Sequence, residues 1–291
     1  NGLFEPYAAS ADADGIIYLA DSSNHRIVRY DPDTGVAENF AGNPGTPGAN
    51  NGPAYLASFN SPQGIVFAEI ITTVTNGTNA TLVREPGVVV ADTGNHLIRF
   101  INAATREVRT LAGHAQIPGG ATNSSGTGAY FRFPIGLCID ANNVVYIADS
   151  KNNVIRQLGL TDNPSYTIVN LVVTNTTFRE PNAVSAMNGN NLWVADTRNH
   201  TVKLVTRTSP GTATLTTLMG SDSQLVSGTT DHAFGGLARF NNPRGILWLN
   251  NRLYVADTGN HTIRRATNNP IYGATNYAVG TVAGIPLQAG F

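Results

Sequence analysis

Short runs of alternating apolar and polar residues recur along the chain, with turn residues between them. Five stretches share one pattern: IYLADSSNHRIVRY at 17–30, VVVADTGNHLIRFI at 88–101, VYIADSKNNVIRQL at 145–158, LWVADTRNHTVKLV at 192–205 and LYVADTGNHTIRRA at 253–266. Each holds two strand-like runs, rich in Val, Ile and Tyr, on either side of an Asp-x-x-Asn turn. Upstream of each lies a Pro, often with Gly close behind, as in SPQGIVF at 61–67 and NPRGILWL at 242–249; the first copy, FEPYAASAD at 4–12, is degenerate. Downstream comes an apolar run closing on Ala-Gly or a relative: NFAG at 39–42, TLAG at 110–113, TLMG at 217–220 and TVAG at 281–284. The third copy departs, with YTIVNLVV at 166–173 and no closing Gly. No window longer than a turn carries helical periodicity. Four strands per unit, repeated five times, predict an all-β chain: a β-propeller of five four-stranded antiparallel blades. One such sheet cannot bury both faces alone; stacked against neighbours, it can. The pattern places the blades near 3–42, 60–113, 133–173, 180–220 and 242–284, all within one domain covering 1–291. A six-bladed ring is the alternative.

The Asp-x-x-Asn-His turn gathers acid, amide and imidazole, which is the composition of an active site. Its repetition argues for a framework, because a catalytic group is needed once per site and not once per blade. Asp and Asn bond to nearby backbone in tight turns, and Gly tolerates a positive φ. Asp21, Asp92, Asp149, Asp196 and Asp257 are therefore read as braces of these turns, with His25, His96, His200 and His261 opening the next strand; Asn153 replaces the fourth His of the series. The cations at 29, 99, 156, 203 and 264 are expected to pair with an Asp on an adjacent blade, which fixes register more than it stabilises.

The Ala-Asp-x-x-Asn-His-x-Ile-Arg pattern, with its upstream Pro-x-Gly and downstream Leu-Ala-Gly, resembles the NHL repeat. The resemblance runs from about Phe4 to Gly284 and implies a propeller, most often six-bladed, whose insertions and end faces carry function. Among propellers of this kind the resemblance also brings in a metal-dependent amidating lyase, strictosidine-synthase-like hydrolases, and cytoplasmic domains that read RNA with a basic face.

Composition narrows these classes. Charged residues make up 13% of the 291, about half the usual share, and the net charge is −1. The only lysines are Lys151 and Lys203. A near-neutral chain has no general attraction for phosphate backbones or anionic lipids, so no nucleic-acid partner is expected. No apolar run is long enough to span a bilayer as a helix, so no membrane insertion is expected either. The single Cys138 rules out an internal disulfide framework. Outside the motif only His114 and His232 remain, which is no recognisable metal-ligand spacing. Asp222, Asp231 and His232 share the loop SDSQLVSGTTDHAFGG at 221–236, and the bland reading is a solvated loop. No cofactor, metal or catalytic residue is assigned, and the chain is expected not to be an enzyme.

One insertion stands out. EIITTVTNGTNATLVREPG at 69–87 reads as an extra hairpin turning at Asn76-Gly77. Its tip holds two N-glycosylation sequons, at Asn76 and Asn79; Asn123 and Asn175 carry two more in non-motif segments. Asn199 and Asn260 also match, but their Asn is the turn residue of the motif. Exposed sequons, few charges and abundant Thr and Asn favour an extracellular or cell-surface chain. The expectation is a non-enzymatic module for interaction, scaffolding or assembly, glycosylated on its loops, alone or as one module of a larger chain or filament, with protein partners or self-association through the loops 43–53, 114–128 and 221–236.

Overall fold

A computed structural model describes residues 2–121, 123–163, 165–174, 177–187, 190–209, 211–220, 227–269, 271 and 276–285. Asn175 and Asp222 lie outside the described residues. Among the described residues the only helical segments are three-residue 3-10 turns.

The five repeats form five four-stranded antiparallel blades of a β-propeller. The first blade is Pro6–Ala11, Ile17–Asp21, Arg26–Asp31 and Val36–Ala41, paired in that order. The second is Ile65–Asn76, Asn79–Asp92, Leu97–Asn102 and Glu107–Gly113. The third is Pro134–Ile139, Val144–Asp149, Val154–Gly159 and Thr167–Thr174. The fourth is Ala183–Ala186, Asn191–Asp196, Thr201–Ser209 and Thr212–Met219. The fifth is Gly245–Leu249, Arg252–Asp257, Thr262–Asn268 and Tyr277–Ala283. The outer strand of the third blade lacks the closing Ala-Gly, and its backbone at Val172–Thr174 runs parallel to Thr212–Thr214 of the fourth.

The chain falls into two compact units, residues 1–152 with 156–170, and 153–155 with 171–291. In the first unit two apolar layers form. Tyr18, Ile27 and Phe40 of the first blade meet Ile65, Val88, Val90 and Ile101 of the second. Val89, Ile98, Phe100 and Leu111 on the second blade's other side meet Val145, Ile147 and Leu158 of the third. In the second unit Trp193, Val202 and Met219 of the fourth blade meet Leu253, Val255 and Val279 of the fifth. Trp193 stacks on Trp248 at 6.0 Å between ring centres and meets Tyr277 edge-on at 5.0 Å. Period-two alternation is what lets each strand serve two layers: Val88 and Val90 face the first blade and Val89, between them, the third.

The insertion forms the expected hairpin. Asn76 pairs with Asn79 across a turn in which Gly77 has a φ of 62°. The hairpin leans on the third blade: Thr73 N–H and Oγ1 both bond to the Asp162 carboxylate, and Ile71 exchanges backbone bonds with Leu160 and Asp162.

Candidate interaction surfaces

Each blade is built around one buried carboxylate, and all five Asp side chains are removed from solvent. Asp92 accepts bonds from Asn60 N–H at 2.7 Å, Asn95 Nδ2 at 2.8 Å and Arg99 Nη1 at 2.8 Å. Asp257 repeats this with Asn241 N–H, Asn260 and Arg264 at 2.7, 2.8 and 2.9 Å. Asp149 takes Arg132 N–H, Asn152 and Arg156; Asp196 takes Arg179 N–H, Asn199 and Lys203. In the first blade Arg26 stands in, 2.7 Å from Asp21, while Arg29 turns to Glu38. The cations at 99, 156, 203 and 264 thus pair with the Asp of their own blade and Arg29 with Glu38, which corrects the expected pairing between blades. Register explains it. Asp92 lies opposite Leu97, so Arg99 is its diagonal neighbour on the same face of the sheet; Arg26 is directly opposite Asp21.

Desolvation pushes the carboxyls of Asp92, Asp149, Asp196 and Asp257 upward, Asp92 to about 6, while their cations and donated N–H groups pull back. A phenylalanine lies against the cation in three nodes: Arg99 sits 5.1 Å over Phe59, Arg156 4.7 Å over Phe131 and Arg264 5.0 Å over Phe240. Reading the motif alone misses these rings. The signal was present, because Phe-x-x-Pro recurs at Phe59, Phe131, Phe178 and Phe240, each three residues before the repeat Pro.

The long loops that the sequence offered as contact surfaces are tied to these nodes. The Asn of the turn also donates to a loop carbonyl: Asn95 to Gly48, Asn152 to Gly119 and Asn260 to Gly228. Arg99 adds bonds to Asn50 O and Asn51 Oδ1. The approach is close enough that a Cβ on Gly119 would sit 2.6 Å from Tyr130 Cβ. Asp231 and His232 are likewise committed. Arg264 bridges Asp257 and Asp231, Asp231 accepts from Thr281 N–H, and His232 Nδ1 accepts from Phe234 N–H. Asp231 and His232 line a cavity of about 450 Å³ with Arg265 and Thr267. His114 stacks on Tyr130 beside another of about 430 Å³ lined by Asn51, Thr110 and Thr127. No group of three metal-ligating side chains occurs among the described residues. Arg106 is paired with Glu38 and Arg109 with Glu85.

Neighbouring blades are joined by a repeated clamp. The 3-10 turn after each Asp ends on a left-handed residue, His25, His96, Asn153, His200 or His261, with φ of 55–61°. Its side chain accepts the backbone N–H just before the Pro of the next blade. His25 Nδ1 takes Ser61 N–H at 3.0 Å, His96 takes Phe133 at 3.2 Å, and His200 takes Asn242 at 3.0 Å. Asn153 Oδ1 takes Glu180 at 2.8 Å. A hydroxyl from the same turn donates to the Pro carbonyl: Ser22 to Pro62, Thr93 to Pro134, and Thr197 to Pro243. The residue before each repeat Pro is itself left-handed, with φ of 49, 47, 52, 48 and 47° at Glu5, Ser61, Phe133, Glu180 and Asn242. That conformation is strained for a non-glycine residue, more so before proline. The clamp and the Asp node hold it, one on each of two successive N–H groups. Burial lowers the pKa of His25, His96 and His200, which suits an imidazole that must accept at Nδ1.

The fifth blade breaks the series. Thr258 Oγ1 donates to Ala256 O in its own strand, and His261 is exposed, its backbone N–H bound to Thr258 O and its imidazole making no hydrogen bond among the described residues. The face they border, which on the first, second and fourth blades meets the next blade, is exposed. Where the second blade buries Val66, Ala68, Ile98 and Leu111 to 9, 4, 0 and 1% exposure, the fifth leaves Leu247, Leu249, Ile263 and Val282 at 52, 50, 40 and 45%. Ala256, Thr258, His261, Ile263 and Ala283 line a cavity of about 270 Å³ where the next Pro segment would sit.

The sequons fall into two groups. Asn76 and Asn79 are exposed at the hairpin tip, and Asn123 is exposed while its Oδ1 accepts from Asn170 N–H. At Asn199 and Asn260 the Nδ2 that would carry a glycan is bound to the node Asp.

The repeats have a name. The NHL repeat family model matches residues 131–158 and 178–203. Human NHL repeat-containing protein 2 is 28% identical over 186 residues, which is 60% of this chain but 22% of that protein. The chloroplastic protein SUPPRESSOR OF QUENCHING 1 of Arabidopsis thaliana is 27% identical over 58% of this chain and 15% of its own length. This chain carries NHL repeats on a β-propeller fold. It spans about a fifth of the curated relatives it matches. Among solved structures, virginiamycin B lyase of Staphylococcus aureus aligns with a TM-score of 0.56 at 14% identity, over 97% of this chain and 71% of that one. A nidogen/laminin complex gives 0.57 at 15%, over 90 and 75%. A gluconolactonase of Xanthomonas campestris gives 0.57 at 9%, over 97 and 77%.

Identities this low show the fold alone, but the fold includes a lyase and a gluconolactonase. The expectation that this chain is not an enzyme is thereby corrected. On a propeller the side chains of a site come from different blades, so chemistry there leaves no linear motif whose absence would exclude it.

Proposed function

We propose that this NHL propeller is an interaction and assembly module working outside the cytoplasm, with N-glycans at Asn76, Asn79 and Asn123. The bare face of the fifth blade carries the reading. On the first, second and fourth blades the next blade covers the equivalent face, and here four large apolar side chains stand half exposed. Contiguous apolar exposure on a folded domain marks a surface that another surface covers. The exposed sequons on the hairpin and at Asn123 support the location.

Side-chain footprinting tests the surface. Leu247, Leu249, Ile263 and Val282 should label strongly in the isolated chain and be protected in material taken intact from its native source. Equal labelling in both would remove the assembly reading. Intact mass tests the glycans: native protein heavier than the 30.7 kDa sequence mass, falling on glycan removal, is expected. Unchanged mass would withdraw the location.

A further inference from the structure

We propose that the outer edge of the inserted hairpin, Asn79–Arg84, pairs antiparallel with the same edge of a second copy of this chain. This surface is separate from the fifth-blade face, and the inference goes beyond the reading above without resting on it. Backbone direction sets it up. Ala91 bonds through both its N–H and its carbonyl to Gly64 and Gln63, at the head of the strand Ile65–Asn76. Register between the two hairpin strands is unbroken from Ile65 opposite Val90 to Asn76 opposite Asn79. Odd positions of Asn79–Asp92 therefore turn their backbone groups toward that strand, and even positions turn theirs away. Pro86 obeys the rule, its carbonyl accepting from Ala103 N–H on the far side.

The two edges of the hairpin are finished differently. The inner edge is capped along its length. Ser10 Oγ takes Phe67 N–H, Asn143 Nδ2 donates to the Glu69 carbonyl, and the Asp162 carboxylate takes Thr73 N–H. Ile71 exchanges backbone bonds with Leu160 and Asp162 between them. The outer edge has no such caps. The neighbouring strand Leu97–Asn102 pairs only as far as Gly87. Beyond Pro86, the outward backbone groups of Ala80, Leu82 and Arg84 have no partner among the described residues. All of Asn79–Arg84 is exposed, Leu82 by 56% and Val83 by 49%. The usual guards of a free edge are missing as well, because neither a proline nor a charge lies between Glu69 and Arg84.

The edge is complementary to itself. Pairing about Thr81 uses Asn79–Val83 and keeps each hairpin tip clear of the other copy's Ala103, which already fills the place beside Pro86. Ala80 of each copy then exchanges both backbone bonds with Leu82 of the other. Thr81 meets Thr81 and Asn79 meets Val83, so no like charges are set opposite one another. Two strands alone are marginal, and two hairpins side by side make one four-stranded sheet. A two-fold contact of this kind closes at two copies. The Asn79 side chain leaves through the face of the sheet, whereas the edge bonds run in its plane, so a glycan there and the pairing take different directions.

Sedimentation over a range of concentrations tests this on the glycosylated chain and on the same chain after glycan removal. Both should pass from monomer to dimer and go no further. Leu82→Pro removes an outward N–H and leaves the hairpin's own bonds intact. It should weaken the dimer about thirtyfold, two backbone bonds being lost per pair, with the monomer's Tm unchanged. Leu82→Glu and Leu82→Lys place like charges on diagonal neighbours across the two-fold, so each alone should dimerise weakly. Mixed, they should form a 1:1 heterodimer tighter than either. Leu249→Glu, on the fifth-blade face, should leave the dimer as it was. A parent that is monomeric at every concentration overturns the inference, as does a dimer indifferent to the Leu82 changes or a mixture that fails to pair. A dimer that forms only after glycan removal also overturns it and assigns the edge to the glycan. A dimer lost with Leu249→Glu belongs to the fifth-blade face, which ends this inference and leaves the assembly reading in place.

Discussion

The second and fifth blades carry nearly the same sequence, ADTGNHLIRF against ADTGNHTIRR, and end in different surroundings. Their interiors match bond for bond: each Asp takes one backbone N–H, one Asn and one Arg at 2.7–2.9 Å. Their outward faces do not match. Ile98 is packed against the third blade and Ile263 against solvent; His96 holds Phe133 N–H and His261 holds nothing described. The node is therefore a property of the blade, fixed by its own hairpin register. The clamp is a property of a pair of blades. A motif that looks like one unit is two devices with different requirements, and each can be broken separately.

The largest effect should come where the two blades agree. Arg99→Ala leaves Asp92 buried with its cation gone, and Arg264→Ala does the same to Asp257. Removing one partner of a buried pair costs about 3–5 kcal/mol. Urea unfolding of both variants should show losses of that size, and similar ones. A much smaller loss at Arg264 would mean that the fifth blade does not depend on its node, and the comparison would fail at its shared half.

The faces should differ. Ile98→Ala opens a hole in a filled layer and should cost about 2–5 kcal/mol. Ile263→Ala, at an exposed position on the free chain, should stay within about 0.5 kcal/mol. Measured at a concentration where the chain is monomeric, the contrast should be sharp. Equal losses would show that the fifth-blade face is covered in the free chain.

Much of this was legible in the sequence, and the limits have physical causes. The five blades and the hairpin followed from period-two alternation and from Asn76-Gly77. The framework role of the Asp series was argued from repetition, and the structure places all five in buried nodes. The partner of Arg99 was misplaced, although Asp-x4-Leu-x-Arg across a three-residue turn already sets the two as diagonal neighbours. The bare face was invisible for a different reason. Leu247, Leu249, Ile263 and Val282 keep the apolar pattern of their buried counterparts, and a pattern records that a face is to be covered, not by what.

The smallest effect separates clamps from nodes by pH. His25, His96 and His200 accept a backbone N–H at Nδ1, and burial holds each below the usual 6.5. A depressed pKa contributes stability that is present above the unfolded value and lost as pH falls through the folded one. The node carboxyls act with the opposite sign. Asp92, raised from 3.8 to about 6, favours the fold at low pH and loses that contribution as pH rises through about 6. The two must be measured apart, and the third blade shows how, because Asn153 makes the same clamp with a side chain that does not titrate. A triple variant, His25→Asn, His96→Asn and His200→Asn, should keep the clamps and the nodes and lose the imidazoles. Between about pH 7.5 and pH 5 the parent's Tm should fall further than the variant's by a few degrees, each kcal/mol being worth about 2–4 °C in a protein of this size. Parallel curves would mean that the clamp imidazoles do not couple to folding, and that blade pairing depends on the apolar layers alone.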